Sequence, residues 1–238
     1  MDIKLKIRNL GPGDLKKYKI ECSSCSYWTN YDKKTFLNEL KNCNALIDFF
    51  KSKIFEFKTE EKNIKKNIME AFLKSGGFIK AAFQNENKII GLIVYGNYIL
   101  FPRLKEFDVF PPDRESIFIG CIMIEPEYLH LGIGGRLLIE VEKEVMGKSY
   151  KSIESIAKRI NDDFSDEQYR SLHLPEVKFL VKNGFFIKKN DNMFPLLRID
   201  LKSIEKNPSK IESFFAKLFL KKELSKNPLA EIRTNKKP

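Results

Sequence analysis

The run SIFIGCIMIEPEYLHLGIGGRLLIEVEKEV, from Ser116 to Val145, constrains the fold of this chain most. Ser116 to Ile124 is apolar on both faces, which predicts a central, fully buried strand. Pro126 turns the chain, and a loop with glycines at 132, 134 and 135 opens a helix. That helix carries Leu137, Leu138, Val141 and Val145 on one face and stops near Gly147. Glycines lack a Cβ, so the backbone bends sharply and a ligand can come close to it. The first amides of a helix have no intrahelical acceptor and carry the positive end of the helix dipole. Strand, glycine loop and helix in this order therefore suit an anion.

Two phosphate-binding motifs do not fit. A Walker loop needs G-K-[ST], but Gly134 is followed by Gly135 and Arg136. A dinucleotide fingerprint starting at Gly132 needs a glycine or alanine at Leu137. The unit also lies in the middle of the chain, after a hairpin, and not in a first βαβ unit.

The remaining elements follow from spacing. Ile3 to Leu10 reads as a strand, and Asp14 opens a short helix through Tyr18. Residues 33–53 and 59–75 read as two helices of a helical insertion, with Gly76 and Gly77 ending the second. FIKAAFQ and KIIGLIVYGNYI form two strands around the turn NEN. After a Pro-rich loop and the central unit, a strand is expected over Ser152–Ala157. Pro175 fits the first turn of a helix ending at Asn183-Gly184, and Pro195–Leu201 is a last strand. Beyond it, Ile211, Phe214, Phe215, Leu218 and Phe219 share a helical face. The organisation expected is one α/β domain over 1–201 and a basic helical arm over 202–238. The arm is expected to pack on the domain or on a homodimer mate.

Charge narrows the partners. The net charge is +11, and residues 201–238 hold nine Lys and one Arg against four Glu. Such a tail can contact nucleic acid, although a solvated Lys-rich surface is the simpler reading. The apolar runs are too short to span a bilayer. The first residues form no apolar signal segment, so a cytoplasmic protein without membrane contact is expected. Of the four cysteines, Cys22 and Cys25 form a lone C-x-x-C. With His130 and His173 the only histidines, no second ligand pair exists to close a zinc site, and no metal is expected.

At this point IMIEPEYLHLGIGGRLL resembles the signature of the GNAT superfamily of acyl-CoA-dependent N-acetyltransferases. It has the hydrophobic lead-in with Pro126 and Tyr128, both motif glycines and the helix. KFLVKNGFFI, from Lys178 to Ile187, resembles that family's second signature, a helix ending in G-F. The resemblance implies a mixed, mostly antiparallel α/β sheet flanked by helices, with acetyl-CoA as co-substrate and a primary amine as acceptor. It implies that the backbone of Leu129, His130, Leu131, Gly132, Ile133, Gly134 and Gly135 holds the CoA pyrophosphate. Ile122 and Ile124 would bind the acetyl carbonyl and pantetheine through their main chain, on a strand that bulges and splays. His173 falls where the family has a CoA-contacting Asn.

The chain departs from that pattern at three points. Leu129 replaces the usual Gln or Arg of the loop, and His130 stands where a small residue is common. Leu180 takes the place of the Tyr that protonates the leaving thiolate. For proton transfer this leaves Glu125, beside the loop, and Tyr169, from the segment 158–174. CSSCSYW places Cys22, Cys25, Tyr27 and Trp28 beside the acceptor pocket in the resembled fold, together with Cys121. The segment also resembles a C-x-x-C-x-Y-W feature in a prokaryotic subgroup of that superfamily. The two other readings are a non-catalytic CoA-binding or regulatory module and a nucleic-acid-associated protein using the tail.

Overall fold

Phe78–Gln84 (β2) and Lys88–Gly96 (β3) pair as an antiparallel hairpin, closed by a tight turn in which Asn85 and Glu86 take positive φ. Both strands are buried along nearly their whole length, as their runs of Ile, Val, Phe and Ala require. The computed structural model describes residues 5–18, 27–28, 68–146, 148–160 and 174–201. The expected helix over 33–53 and the arm over 202–238 lie outside these residues. Of the expected helix over 59–75, Ile68–Lys74 (α2) is described.

The other elements are Leu5–Asn9 (β1), Pro12–Lys17 (α1), Ser116–Ile124 (β4), Ile133–Met146 (α3), Ser152–Ile156 (β5), Val177–Lys182 (α4), Phe186–Lys189 (β6) and Leu196–Asp200 (β7). They form one seven-stranded sheet in the order β1-β2-β3-β4-β5-β7-β6. Among the described strands only β4 and β5 run parallel, and α3 lies in the crossover between them. The expectation of a mixed, mostly antiparallel sheet flanked by helices holds.

The sheet separates two cores. On one face the apolar stripe of α3 packs with Ile90, Ile93, Ile117, Ile119, Ile153 and Leu180. On the other, Trp28, Phe72, Phe101, Leu104 and Phe118 gather with Leu92, Val94 and Cys121. Burying a large apolar side chain is worth about 1.5–3 kcal/mol, so these two clusters supply most of the driving force.

Three expectations about element ends need correction. β3 stops at Gly96, because the Asn97 side chain accepts from Ile99 N (3.1 Å) and starts a 3-10 turn over Tyr98–Leu100. Asp14 does not open α1. Gly11 is its N-cap, and the Asp14 carboxylate reaches back to accept from Gly11 N (2.9 Å) while pairing with Arg8. Pro175 lies before α4 and not in its first turn. Its carbonyl accepts from Lys158 N (2.9 Å), which keeps the segment extended until Glu176 caps the helix. One further strand, β6, is too short and too exposed to show an alternating pattern in sequence.

The aromatic cluster depends on one glycine. A Cβ on Gly120 would lie 2.4 Å from Phe101 Cε1 and 3.0 Å from Trp28 Nε1. Gly120→Ala is therefore expected to lower stability by about 1–3 kcal/mol through overpacking, measured by urea unfolding. Combining it with Phe101→Leu should recover part of the loss, and strictly additive losses would contradict this packing.

Candidate functional site

The site grows from the point where β4 and β5 part. Their ladder covers three residue pairs, from Ser116–Ser152 to Phe118–Glu154. Beyond it the Ser155 hydroxyl, not a strand amide, donates to Ile119 O (2.9 Å). β5 continues alongside β7 up to Ile156–Leu196. Cys121 to Ile124 thus keep β3 on one side and have no ladder partner on the other among the described residues. At the same place β4 bulges. Cys121 faces Val94 and Ile119 faces Tyr95, so Gly120 is left unmatched.

The glycine loop sits at the end of this free edge. Glu125 N still donates to Ile90 O (3.0 Å), and Pro126–Tyr128 forms a 3-10 turn. The Tyr128 hydroxyl donates to Gln84 Oε1 (2.7 Å), and Lys88 lies over its ring. Tyr128 therefore docks the loop onto the β2–β3 turn. His130 (φ 62°) and Gly132 (φ 78°) both take left-handed backbone, which folds the loop back toward the start of α3. The first helical bond runs from Arg136 N to Gly132 O (3.1 Å). The amides of Ile133, Gly134 and Gly135 consequently have no helical acceptor at the positive end of a 14-residue helix.

The glycines do not all serve ligand approach. Gly134 is buried, and a Cβ there would lie 3.1 Å from the Phe179 ring. It seats α4 against α3. Leu129 (49% exposed) and Leu131 (51% exposed) form an apolar rim around His130.

Other site candidates fall into four groups. Ile122 and Ile124 point to the α3 face and are half-buried. Tyr27, Trp28 and Cys121 come together in the aromatic cluster on the opposite face, so the bulged edge runs between the two groups. Glu125 is exposed at the strand end. Tyr169, His173, Cys22 and Cys25 lie outside the described residues. Leu180 is fully buried in the α3-side core, so that position supplies packing and no proton donor.

Sequence reasoning missed three residues on the elements around the free edge. The Arg136 Nε is buried with no acceptor among the described residues, one residue past the free amides. In the sequence Arg136 only excluded a Walker loop. The Phe179 ring lies against Gly134, where α4 packs on α3, with Ile122 on the same side of the sheet. Lys158 is buried just beyond the end of β5, where burial pushes its amine pKa down and Glu176 opposes the shift. None of the three has a local spacing that announces it.

No group of three or more potential metal ligands occurs among the described residues. No helix among them is long and apolar enough to cross a membrane.

No family model matches the chain, and no curated protein matches it. Among solved structures, the chain is similar to the PaiA N-acetyltransferase of Thermoplasma acidophilum in complex with coenzyme A. The identity is 17%, over 83% of this chain and 99% of that one, with a TM-score of 0.45. It is also similar to Ard1 of Thermoplasma volcanium, at 13% identity, 83% and 98% coverage and a TM-score of 0.41. A third likeness is to a GNAT family acetyltransferase of Elizabethkingia anophelis with acetyl-CoA bound, at 23% identity, 56% and 81% coverage and a TM-score of 0.36.

Proposed function

We propose that the chain is a GNAT-type N-acetyltransferase that moves an acetyl group from acetyl-CoA to an amine. The carrying observation is the pairing of two features at one place. Free helix amides beside the Arg136 Nε, which has no acceptor among the described residues, suit a pyrophosphate, and they adjoin a bulged strand edge with no ladder neighbour among those residues.

On this reading the amides of Ile133 to Gly135 and the Arg136 guanidinium hold the two phosphates. The thioester supplies an activated acyl group with a good leaving thiolate. The main chain of Ile122 and Ile124 holds the pantetheine arm and polarises the acyl carbonyl, whose oxygen gains charge as the amine attacks. The C–N bond forms, the C–S bond breaks, the amine gives up a proton and the thiolate takes one up. Leu180 carries no proton, so the thiolate's proton comes from water or another side chain.

Calorimetric titration with acetyl-CoA tests the binding half, and CoA release with an amine panel tests the transfer half. Arg136→Ala is expected to weaken acetyl-CoA binding about tenfold or more, the worth of one charge-assisted contact, with the fold unchanged by circular dichroism. Wild-type protein that binds neither acetyl-CoA nor CoA would falsify the proposal. Binding without turnover on any amine would favour a non-catalytic CoA-binding module, the reading that the buried Leu180 supports.

A further inference from the structure

The helix α3 is buried along two lines. Ile133, Leu137, Leu138, Val141 and Val145 pack on the sheet in the α3-side core. Gly135, Ile139, Glu142 and Met146 form a second line, at i, i+4, i+7 and i+11. Gly135 is buried, Met146 is half-buried, and Ile139 and Glu142 are each 6% exposed. Yet neither Ile139 nor Glu142 belongs to the two cores that the described residues form. A helix lying on a sheet buries one face and wets the other, so a second buried line calls for a second packing partner.

The neighbouring helix α4 meets only one end of α3. It has six residues, about 9 Å, beside the 14 residues of α3, about 21 Å. Its Phe179 ring contacts Gly134, at the N-terminal end of α3. Ile139, Glu142 and Met146 lie about 7–18 Å farther along the axis. Lys143, beside them on α3, pairs with Glu140. Burial pushes the Glu142 carboxyl pKa up to about 7, which fits an apolar cover and not a cationic one.

The place where the chain leaves the sheet selects the cover. β7 ends at Asp200, and the Leu201 amide donates to Lys151 O (3.0 Å), five residues past the end of α3. Leu201 is buried in the α3-side core, and its backbone is already helical. The remaining 37 residues therefore start on the α3 face, at the C-terminal end of α3. Among them Ile211, Phe214, Phe215, Leu218 and Phe219 follow at i, i+3, i+4, i+7 and i+8. The nine residues from 202 to 210 span up to about 30 Å, more than the length of α3. Two other segments fit less well. Residues 161–173 hold Asp162, Asp163, Asp166 and Glu167 against one Arg170, a poor cover for a buried carboxyl. Residues 29–67 lead into α2, whose Met69 and Phe72 pack on the opposite face.

We infer that residues 210–219 of the C-terminal arm lay their apolar face along Ile139, Glu142 and Met146 of α3 in the same chain. The arm then forms a further helix beside α4, packed side by side with α3. This contact is independent of the acetyltransferase reading, although it bears on the same site. Gly135, at the head of the second line, is one of the three residues whose amides have no helical acceptor. A brace along α3 fixes the helix end that presents those amides.

Carboxyl labelling of the full chain with a carbodiimide and glycine ethyl ester, read by mass spectrometry, tests the contact. In wild type Glu142 should label at least about tenfold more slowly than the exposed Glu127, as for an arm released less than about a tenth of the time. With Phe214→Ala, Phe215→Ala and Phe219→Ala together, Glu142 should label at a rate approaching that of Glu127. Cys121, buried on the opposite face, should stay protected from alkylation, which shows that the domain is still folded. Fast labelling of Glu142 in wild type, or unchanged protection in the folded variant, overturns the inference. If the variant unfolds, cross-linking of the wild-type chain decides. An amine-reactive cross-linker should join Lys143, exposed beside the second line, to Lys210, Lys217 or Lys221. Mixing isotopically labelled and unlabelled protein shows whether the link lies within one chain. Absence of these links, or links only between chains as in an arm-exchanged dimer, overturns it as well.

Discussion

Arg198→Met is expected to destabilise the protein by about 3–5 kcal/mol, a fall in Tm on the order of 6–20 °C for a chain of this size. Arg198 lies on β7 and reaches three carboxylates: Asp113 at 3.0 Å, Glu154 at 3.2 Å, and Asp200. Glu154 is 0% exposed and also accepts from Lys188 (2.6 Å) and from the Asp113 backbone amide (2.9 Å). Removing the guanidinium leaves a buried carboxylate with one cation in place of two. The large term is that uncompensated charge, not the lost contact itself. Glu154→Gln added to Arg198→Met should therefore return part of the stability, because the buried charge disappears with its partner. A loss below about 1 kcal/mol in thermal unfolding would show that Lys188 alone suffices to neutralise Glu154.

Glu142→Gln is expected to change how stability depends on pH. Glu142 lies on α3, is 6% exposed, and has no ion pair among the described residues. Burial pushes its carboxyl pKa up from the ordinary 4.5 to about 7. The folded state therefore prefers the protonated form. Below pH 4.5 both states hold the proton and no penalty exists. As pH rises toward about 7 the unfolded chain ionises first, and stability is lost. Above that both states are ionised and the loss levels off. At about 1.4 kcal/mol per pH unit the interval amounts to roughly 3 kcal/mol. Glu142→Gln does not titrate, so its stability relative to wild type should rise by about that amount between pH 4.5 and 8 and then stay flat. Urea unfolding across this range measures it. Parallel wild-type and variant curves would show that the Glu142 carboxyl is not desolvated.

The glycine loop and its helix were legible because their signals are local. A two-sided apolar run, Pro126 and three glycines all fall within twenty residues. The β2–β3 hairpin was legible for the same reason. Most of what surrounds the edge was not. Trp28 meets Gly120 across more than ninety positions of sequence, and neither residue carries a pattern that points to the other. The cluster of Asp113, Glu154, Lys188 and Arg198 joins four separate segments, and in sequence each is one more charged residue in a chain rich in them. The parting of β4 from β5 is likewise invisible, since the strand continues as apolar sequence past the last paired residue. Leu180 shows the reverse case. Sequence flagged it as a departure from a resembled family, and its full burial shows what the residue does instead.

The short β4–β5 seam also bears on how the sheet is assembled. Each side of it contains one tight hairpin, β2–β3 on one side and β6–β7 on the other, and both close over few residues. The seam itself closes only when the α3 crossover brings two distant strands into register. Loop-closure entropy rises with chain separation, and parallel pairing across a crossover adds to the contact order of a fold. The part of the sheet that creates the free edge is therefore among the topologically costlier parts to form. It is secured by three residue pairs, a serine contact across Ser116 and Ser152, and the hydroxyl of Ser155.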